Sequence, residues 1–552
     1  MSERSASDLL VECLRAEGVD RVFGIPGEET LDLNASLQNS GIEFVPVRHE
    51  QAAALMAGMV GRLTGRPGVC LSTLGPGATN LLTGVADAHL DHAPMVVLTG
   101  QAGTERMHKE SHQHLDLLAL LKPVTKWNAR VTQPAMLPEA VAKAFKVATA
   151  EKPGPTHLEL PEDVMAAATG AKPLAGAPAP AATWAPPSAL SAAASVIRSA
   201  EKAVILAGAG VIRGRATTAL RTLAVATGVG VAETFMAKGA MASDDPLWLG
   251  TVGMQASDYE LAGFGDADVV VTVGYDLVEH APSHWNPDGD KRVICLDTLP
   301  AEVDAHFRPE VELTGDLESN LDHLRVELTG EAATAVRPRS GASRLSDLVI
   351  SHLANGLEDI AFPLRPGRAL ADLRRLPEDA IVISDVGLHK LWLARLFPTR
   401  HPHTVFVSNG LAGMGVALPL GIAAKLVHPD RPVVTVSGDG GFLMNCQELE
   451  TASRLRVPVI SVVWEDQALS AIVTKQDASF GEHFGTSFGG TDFVALAGAF
   501  GVPAWRCETA ADLGRHLERA LDLEGPSLIS VPIDYSLHPD VAGEPAEEAL
   551  TA

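Results

Sequence analysis

VVTVSGDGGFLMNCQELETASRLRVPVISVVWEDQ, residues 433–467, holds two apolar runs separated by an amphipathic stretch. The first run ends in Gly438-Asp439-Gly440-Gly441, a helix is expected over roughly 445–454, and the second run ends at Trp464. Asp466 follows Asp439 by 27 residues, the length of one crossover between neighbouring parallel strands. Both carboxylates are therefore expected at one sheet edge. A hard cation such as Mg²⁺ accepts them there, with carbonyls, water and phosphate oxygens completing an octahedron. The glycines leave backbone N–H groups open to an anion. Taken alone, Gly-Asp-Gly also suits a tight turn with a capping Asp.

Outward from this stretch the same alternation recurs. Apolar runs stand at 21–23, 44–47, 69–72 and 95–99, then at 203–208, 269–274 and 292–297, and finally at 380–385, 404–409, 432–439 and 458–464. Near the start, Leu9, Leu10, Cys13 and Leu14 share one helix face, and Gly18 suits the stop. Continuous apolar strands between helices imply parallel sheets covered on both faces, with ligands beyond the strand C-termini. Two Ala/Pro/Gly-rich seams, 165–195 and 329–344, read as linkers. The fold class expected is α/β, with three doubly wound domains of mostly parallel sheets over 1–165, 190–330 and 345–552.

The 552 residues carry 43 Lys plus Arg against 68 Asp plus Glu, a formal charge of −25 with no basic cluster, so no nucleic acid partner is expected. A 46% hydrophobic and 20% charged composition is globular. The five scattered cysteines lack metal-type spacing and fit a reducing cytoplasm. The opening MSERSASDLLVECLRAEG is charged and amphipathic, unlike the apolar core of a signal peptide. No uninterrupted apolar run reaches about 18 residues, so no membrane span is expected.

Residues 433–467 resemble the cofactor motif of the thiamine diphosphate-dependent enzymes, and GDGGFLMNCQELETASRL resembles their acetolactate synthase branch. The resemblance covers about residues 5–540. It implies Mg²⁺ on Asp439, Asp466 and the Ala468 carbonyl, with thiamine diphosphate against Gly438, Gly440 and Gly441. The turn Asp385-Val386-Gly387-Leu388-His389 resembles the first diphosphate-contacting turn of the family, with backbone at Leu388 and His389 as the contacts. SNGLAGMGVALPLGIAAKL, residues 408–426, resembles the segment that holds the aminopyrimidine. There Met414 would prop the bent cofactor and the Ala412 carbonyl would accept the 4′-amino hydrogen bond. Without the flanking match, Met414 reads as core packing.

Glu50 follows a strand and opens a helix, where an acid ordinarily just complements the helix dipole. Yet VRHEQAAALMAGMVGRLTG, residues 47–65, resembles the family's activating-glutamate segment. The role implied for Glu50 is a hydrogen bond to N1′ of the aminopyrimidine, which promotes proton loss from the thiazolium carbon. In that family the glutamate reaches a cofactor held by a partner subunit, so a homodimer or homotetramer with active sites between subunits is implied. GIPGEE (24–29), LSTLGPGATNLLTGVADAHLD (71–91) and PVTKW (123–127) also match. They place Gly75 at a turn near the cofactor, and MHKESHQHLD (107–116) places Gln113 on a loop facing the substrate. His108, His112 and His114 also permit a zinc reading, with His108 and His112 on one helix face, although no HExxH pattern is present.

In the middle piece, Gly208-Ala209-Gly210 begins a dinucleotide fingerprint that fails at Arg213. VVVTVGYDLVEHAPSHWN, residues 269–286, resembles the catabolic, FAD-independent type, so FAD is not expected. Departures cluster at Glu465–Ser470, where Leu469 and Ser470 replace an aromatic and a glycine common in the family. Phe480, Phe484 and Phe488 then form either a lid or a packed helix stripe. The implied activity is decarboxylation of pyruvate and transfer of the remaining two-carbon unit to a second 2-oxo acid. The alternatives are a different acceptor, a simple 2-oxo acid decarboxylase, or a catalytically silent assembly subunit.

Overall fold

Short runs rich in Val, Ile and Leu, buried on both faces in the central strands, build three six-stranded sheets in which every neighbouring pair is parallel. The computed structural model describes residues 4–174, 181–255, 257–330 and 343–536. Parts of both expected linkers, 175–180 and 331–342, lie outside the described residues.

The first sheet comprises β1 (Arg21–Gly24), β2 (Glu43–Pro46), β3 (Gly68–Ser72), β4 (Met95–Gln101), β5 (Trp127–Arg130) and β6 (Pro155–Pro161), ordered 2-1-3-4-6-5. The second comprises β7 (Ala203–Ala207), β8 (Gly230–Thr234), β9 (Trp248–Val252), β10 (Val269–Val273), β11 (Arg292–Asp297) and β12 (Pro309–Thr314). Its order, 9-8-7-10-11-12, winds outward in both directions from β7. The third comprises β13 (Ile381–Ser384), β14 (Val405–Val407), β15 (Val433–Gly438), β16 (Val459–Glu465), β17 (Ala504–Arg506) and β18 (Ser527–Pro532). Ordered 14-13-15-16-18-17, it repeats the winding of the first.

Among the described residues, one compact unit gathers everything up to 174 together with 408–430 and 444–457, and a second holds the rest. In the first, Ala, Gly, Leu and Met make up ten of the fifteen residues of helix Glu50–Thr64. Its small residues let helix Pro76–Leu90 approach until a Cβ on Gly84 would lie 2.6 Å from that of Ala54. Among the described residues, no helix is long and apolar enough to cross a membrane.

Two expectations need correction. The seam at 165–195 contains helix Pro187–Ser199, whose Leu190, Ala193, Ala194 and Ile197 are buried at helical spacing. Its alanines disguised an amphipathic stripe, and proline opens rather than breaks the helix. The helix expected over 445–454 is two helices, Asp439–Asn445 and Glu448–Leu455, so Asp439 itself begins the first turn.

In the middle sheet, β7 runs into the short helix Ala209–Arg213. Gly208 N donates to Val273 O (2.9 Å), Gly210 N to Gly274 O (2.8 Å) and Ala209 N to Glu279 Oε1 (2.9 Å). The Thr234 hydroxyl donates to the other Glu279 oxygen. Burial, and then the like charge of Asp276, push Glu279 from the ordinary 4.5 up to about 8. The folded chain thus keeps a proton that the unfolded chain releases above 4.5. The stability this adds is complete below the unfolded value and is lost as pH rises through the folded one. Glu279→Gln is expected to flatten the fall in melting temperature between about pH 6 and pH 8. An unchanged slope would remove Glu279 as its source.

Candidate active site

In the first unit, β2 ends at Pro46 and the chain turns through Val47–His49 into helix Glu50–Thr64. His49 is the N-cap, its Nδ1 accepting from Gln51 N at 3.2 Å. The Glu50 side chain is buried, and Oε2 accepts from Asn80 Nδ2 at 2.9 Å. Asn80 lies on helix Pro76–Leu90, which opens at Gly75 with φ 52° and ψ −116°. A Cβ at Gly75 would lie 2.8 Å from both the Cβ and the carbonyl oxygen of Gln113, so only glycine fits there. Gln113 is itself exposed and left-handed, φ 57°. Glu50, Gly75 and Gln113 are thus gathered beyond the C-terminal end of β3, where the chain passes into helix Pro76–Leu90.

The loop bearing Gln113 is held from below. His114 Nδ1 lies 3.0 Å from Gln101 Oε1, and Gln101 Nε2 donates to Leu115 O at 3.1 Å and to the buried Glu159. Arg130 Nε donates to the second Glu159 oxygen at 2.8 Å. The loop is a series of turns, so His108 and His112 do not share a helix face. Among the described residues no three His, Cys, Asp or Glu side chains converge as metal ligands, and the zinc reading lapses.

Sequence reasoning singled out neither Asn80 nor Glu448. Glu448 is fully buried; Oε1 accepts from Arg48 N (3.0 Å) and His49 N (3.1 Å), while Thr451 Oγ1 donates to Oε2 (2.6 Å). Arg454, from the same helix, donates to Pro46 O. Burial pushes Glu448 up to about 6, leaving a carboxylate acceptor at neutral pH. An acid in the first turn of a short helix was the available signal, and it resembles many surface caps. In the same unit Ala412 has φ 53°, Met414 is half-buried, and Asn445 Nδ2 donates to Gly415 O at 2.7 Å.

The second unit holds the remaining candidates. β13 leads through Asp385 and Gly387 into helix Leu388–Leu396, with Leu388 and His389 buried. Burial drags His389 down to about 3, so its ring is neutral, and Nε2 has no partner among the described residues. β15 and β16 are adjacent, with Gly438 opposite Trp464, so Asp439 and Asp466 stand on neighbouring strand ends. Asp439 Oδ1 accepts from Gly440 N (2.8 Å), and Oδ2 from Gln467 N (2.7 Å) and Asp466 N (3.2 Å). Burial raises both carboxyls, Asp466 to about 6 with the charge of Asp439 adding to it.

Glycine keeps the first turn of helix Asp439–Asn445 clear: a Cβ on Gly441 would meet the Asp385 carboxyl at 3.2 Å, and one on Gly440 would meet Leu469 and Phe488 at 3.3 Å. Phe488 arrives because its segment folds back, with Leu469 N donating to Thr486 O (2.8 Å) and Phe488 N to Gln467 O (3.1 Å). Phe480 and Phe484 are exposed, so the three rings form no packed stripe within this unit. Two desolvated carboxylates, a helix start lined by glycine and a buried imidazole nitrogen with no partner among the described residues fit a diphosphate with Mg²⁺.

The chain is similar to known proteins along most of its length. Residues 4–120 match the thiamine pyrophosphate enzyme N-terminal TPP binding domain, 190–324 the central domain and 385–531 the C-terminal TPP binding domain. The chain is 37% identical over 546 residues to acetolactate synthase of Bacillus subtilis (strain 168), covering 98% of this chain and 95% of that one. It is 35% identical over 548 residues to catabolic acetolactate synthase of Raoultella terrigena, covering 98% and 96%. Against the acetolactate synthase isozyme 2 large subunit of Escherichia coli (strain K12) it is 33% identical over 528 residues, 95% of each. With three parallel sheets in the right places and matches along nearly its whole length, the chain belongs to the thiamine pyrophosphate enzyme family, on its acetolactate synthase-like branch.

Proposed function

We propose that the chain is a thiamine diphosphate- and Mg²⁺-dependent carboligase that decarboxylates pyruvate and joins the two-carbon remainder to a second 2-oxo acid, giving 2-acetolactate. The observation that carries this is the pair Asp439 and Asp466 on neighbouring strand ends beside a glycine-lined helix start. When bound, thiamine diphosphate supplies a carbon nucleophile for the ketone and an electron sink for the loss of CO₂. Asp439, Asp466 and the Ala468 carbonyl hold Mg²⁺, and backbone at Leu388, His389, Gly438, Gly440 and Gly441 takes the diphosphate. Ala412 O and Met414 hold the aminopyrimidine. Glu50 keeps a proton at N1′, with Asn80 fixing its carboxylate, while Gln113 faces substrate beside Gly75. Leu469 and Phe488 exclude water from the reacting carbon.

Active sites lie between two chains of a homodimer or homotetramer, and the proposed division remains 1–165, 190–330 and 345–552. No FAD is required: the glycine turn after β7, where a dinucleotide phosphate would approach, already gives its N–H groups to Val273 O, Gly274 O and the Glu279 carboxyl. Five cysteines outside any disulfide, four of them buried, support a reducing cytoplasm.

The test is incubation with thiamine diphosphate, Mg²⁺ and pyruvate, with products read by mass spectrometry. Acetolactate is expected. Acetaldehyde alone would replace the carboligase with a decarboxylase, and no CO₂ release would remove both.

A further inference from the structure

We propose that Asp91, braced by Arg62, is a positioning residue that sets the direction of the carbonyl offered to the cofactor's aminopyrimidine. This rests on the assignment of 408–426 to the aminopyrimidine. Asp91 follows helix Pro76–Leu90 as its C-cap, and its side chain is only 2% exposed. Its carboxylate accepts from Gly410 N at 2.7 Å and from Asn409 N at 3.2 Å, with Arg62 Nη1 at 3.6 Å. One turn earlier, Asp87 accepts the Ser408 hydroxyl.

The segment crosses the helix end so closely that a Cβ on Gly410 would lie 2.4 Å from that of Leu90. Its far end is tied as well, by Asn445 to Gly415 O. Between the two ties stands Ala412 in a left-handed conformation that a residue with a Cβ rarely adopts.

Two features of this arrangement disfavour folding. The carboxylates of Asp87 and Asp91 sit at the negative end of a helix dipole, and Ala412 is strained. Both follow from one requirement: a turn whose peptide groups are fixed before any ligand arrives. Arg62 offsets the buried charge, and the two backbone N–H groups use it as an anchor.

The experiment is calorimetric titration of the cofactor-free enzyme, with Mg²⁺ present, using thiamine diphosphate and separately inorganic pyrophosphate. Asp91→Asn keeps the side-chain shape and one acceptor oxygen. It is expected to weaken thiamine diphosphate about tenfold while pyrophosphate stays within about twofold. In turnover, the cofactor concentration for half-activation rises with it, and KM for pyruvate at saturating cofactor holds. Ser408→Ala, a single-atom deletion, is expected to show the same asymmetry at about two- to threefold. Unchanged thiamine diphosphate affinity in Asp91→Asn, or equal weakening of both ligands, overturns the proposal. Met414→Ala separates the two levels. If it weakens thiamine diphosphate and Asp91→Asn does not, only the positioning role falls. If Met414→Ala changes nothing, the assignment of 408–426 falls and takes the proposal with it.

Discussion

Glu50→Gln is expected to lower kcat by on the order of a thousandfold while leaving the melting temperature and Mg²⁺-dependent cofactor binding close to wild type. The magnitude is that of a removed general acid–base group. Gln keeps the volume of the first helix residue and an acceptor for Asn80 Nδ2, so the buried hydrogen bond survives. What it loses is the charge that favours a proton at N1′. Exchange of the cofactor's thiazolium hydrogen with deuterium should slow in parallel. Near-normal turnover, or normal exchange with lost turnover, would take the activating role away from Glu50.

Asp439→Asn is expected to act at binding, weakening Mg²⁺-dependent cofactor affinity by on the order of a hundredfold. Both oxygens of Asp439 accept backbone N–H groups, Oδ1 from Gly440 and Oδ2 from Gln467 and Asp466. Either orientation of an asparagine amide then points its NH₂ at a backbone donor, and the loop must open in addition to losing a charge. Binding equal to wild type by titration would move the metal elsewhere. The two variants also test the shared site together. Co-expressed Glu50→Gln and Asp439→Asn chains should regain about a quarter of wild-type activity, because half the dimers are mixed and each mixed dimer has one intact site. No recovery would confine each active site to one chain.

The strands of the site were legible because buried parallel strands are continuous runs of Val and Ile. Residues 433–438 and 459–465 are such runs, and Gly438, Gly440 and Gly441 mark where the first of them ends. Seven strands, β5, β6, β8, β9, β12, β17 and β18, fall outside the expected runs; β5 and β17 carry no continuous apolar run at all, as WNAR and AWR show. Glu50, Asp439 and Asp466 stand out by motif, because their spacing along the chain reflects one strand or one crossover. Asp91, Asn445 and Glu448 do not, since each acts on backbone far away in sequence. A side chain that holds someone else's N–H leaves no local pattern. His108 and His112 show the opposite failure: helical spacing was present without a helix, because the residues around them form turns anchored on Gln101 and Glu159.

The composition of the first unit bears on how the protein is made. Helix Ala417–Val427, almost wholly apolar, packs against helix Glu50–Thr64 and completes a unit begun at the other end of the chain. A ribosome adding about 5–20 residues per second delivers that helix on the order of ten seconds or more after β6 has emerged. Until then an alanine-rich face of the first sheet's helices stays open to water and to neighbouring nascent chains. A fragment ending near the first linker would keep that face bare permanently. Chaperone occupancy during synthesis, and poor yield from such truncations, follow from this one late-arriving helix.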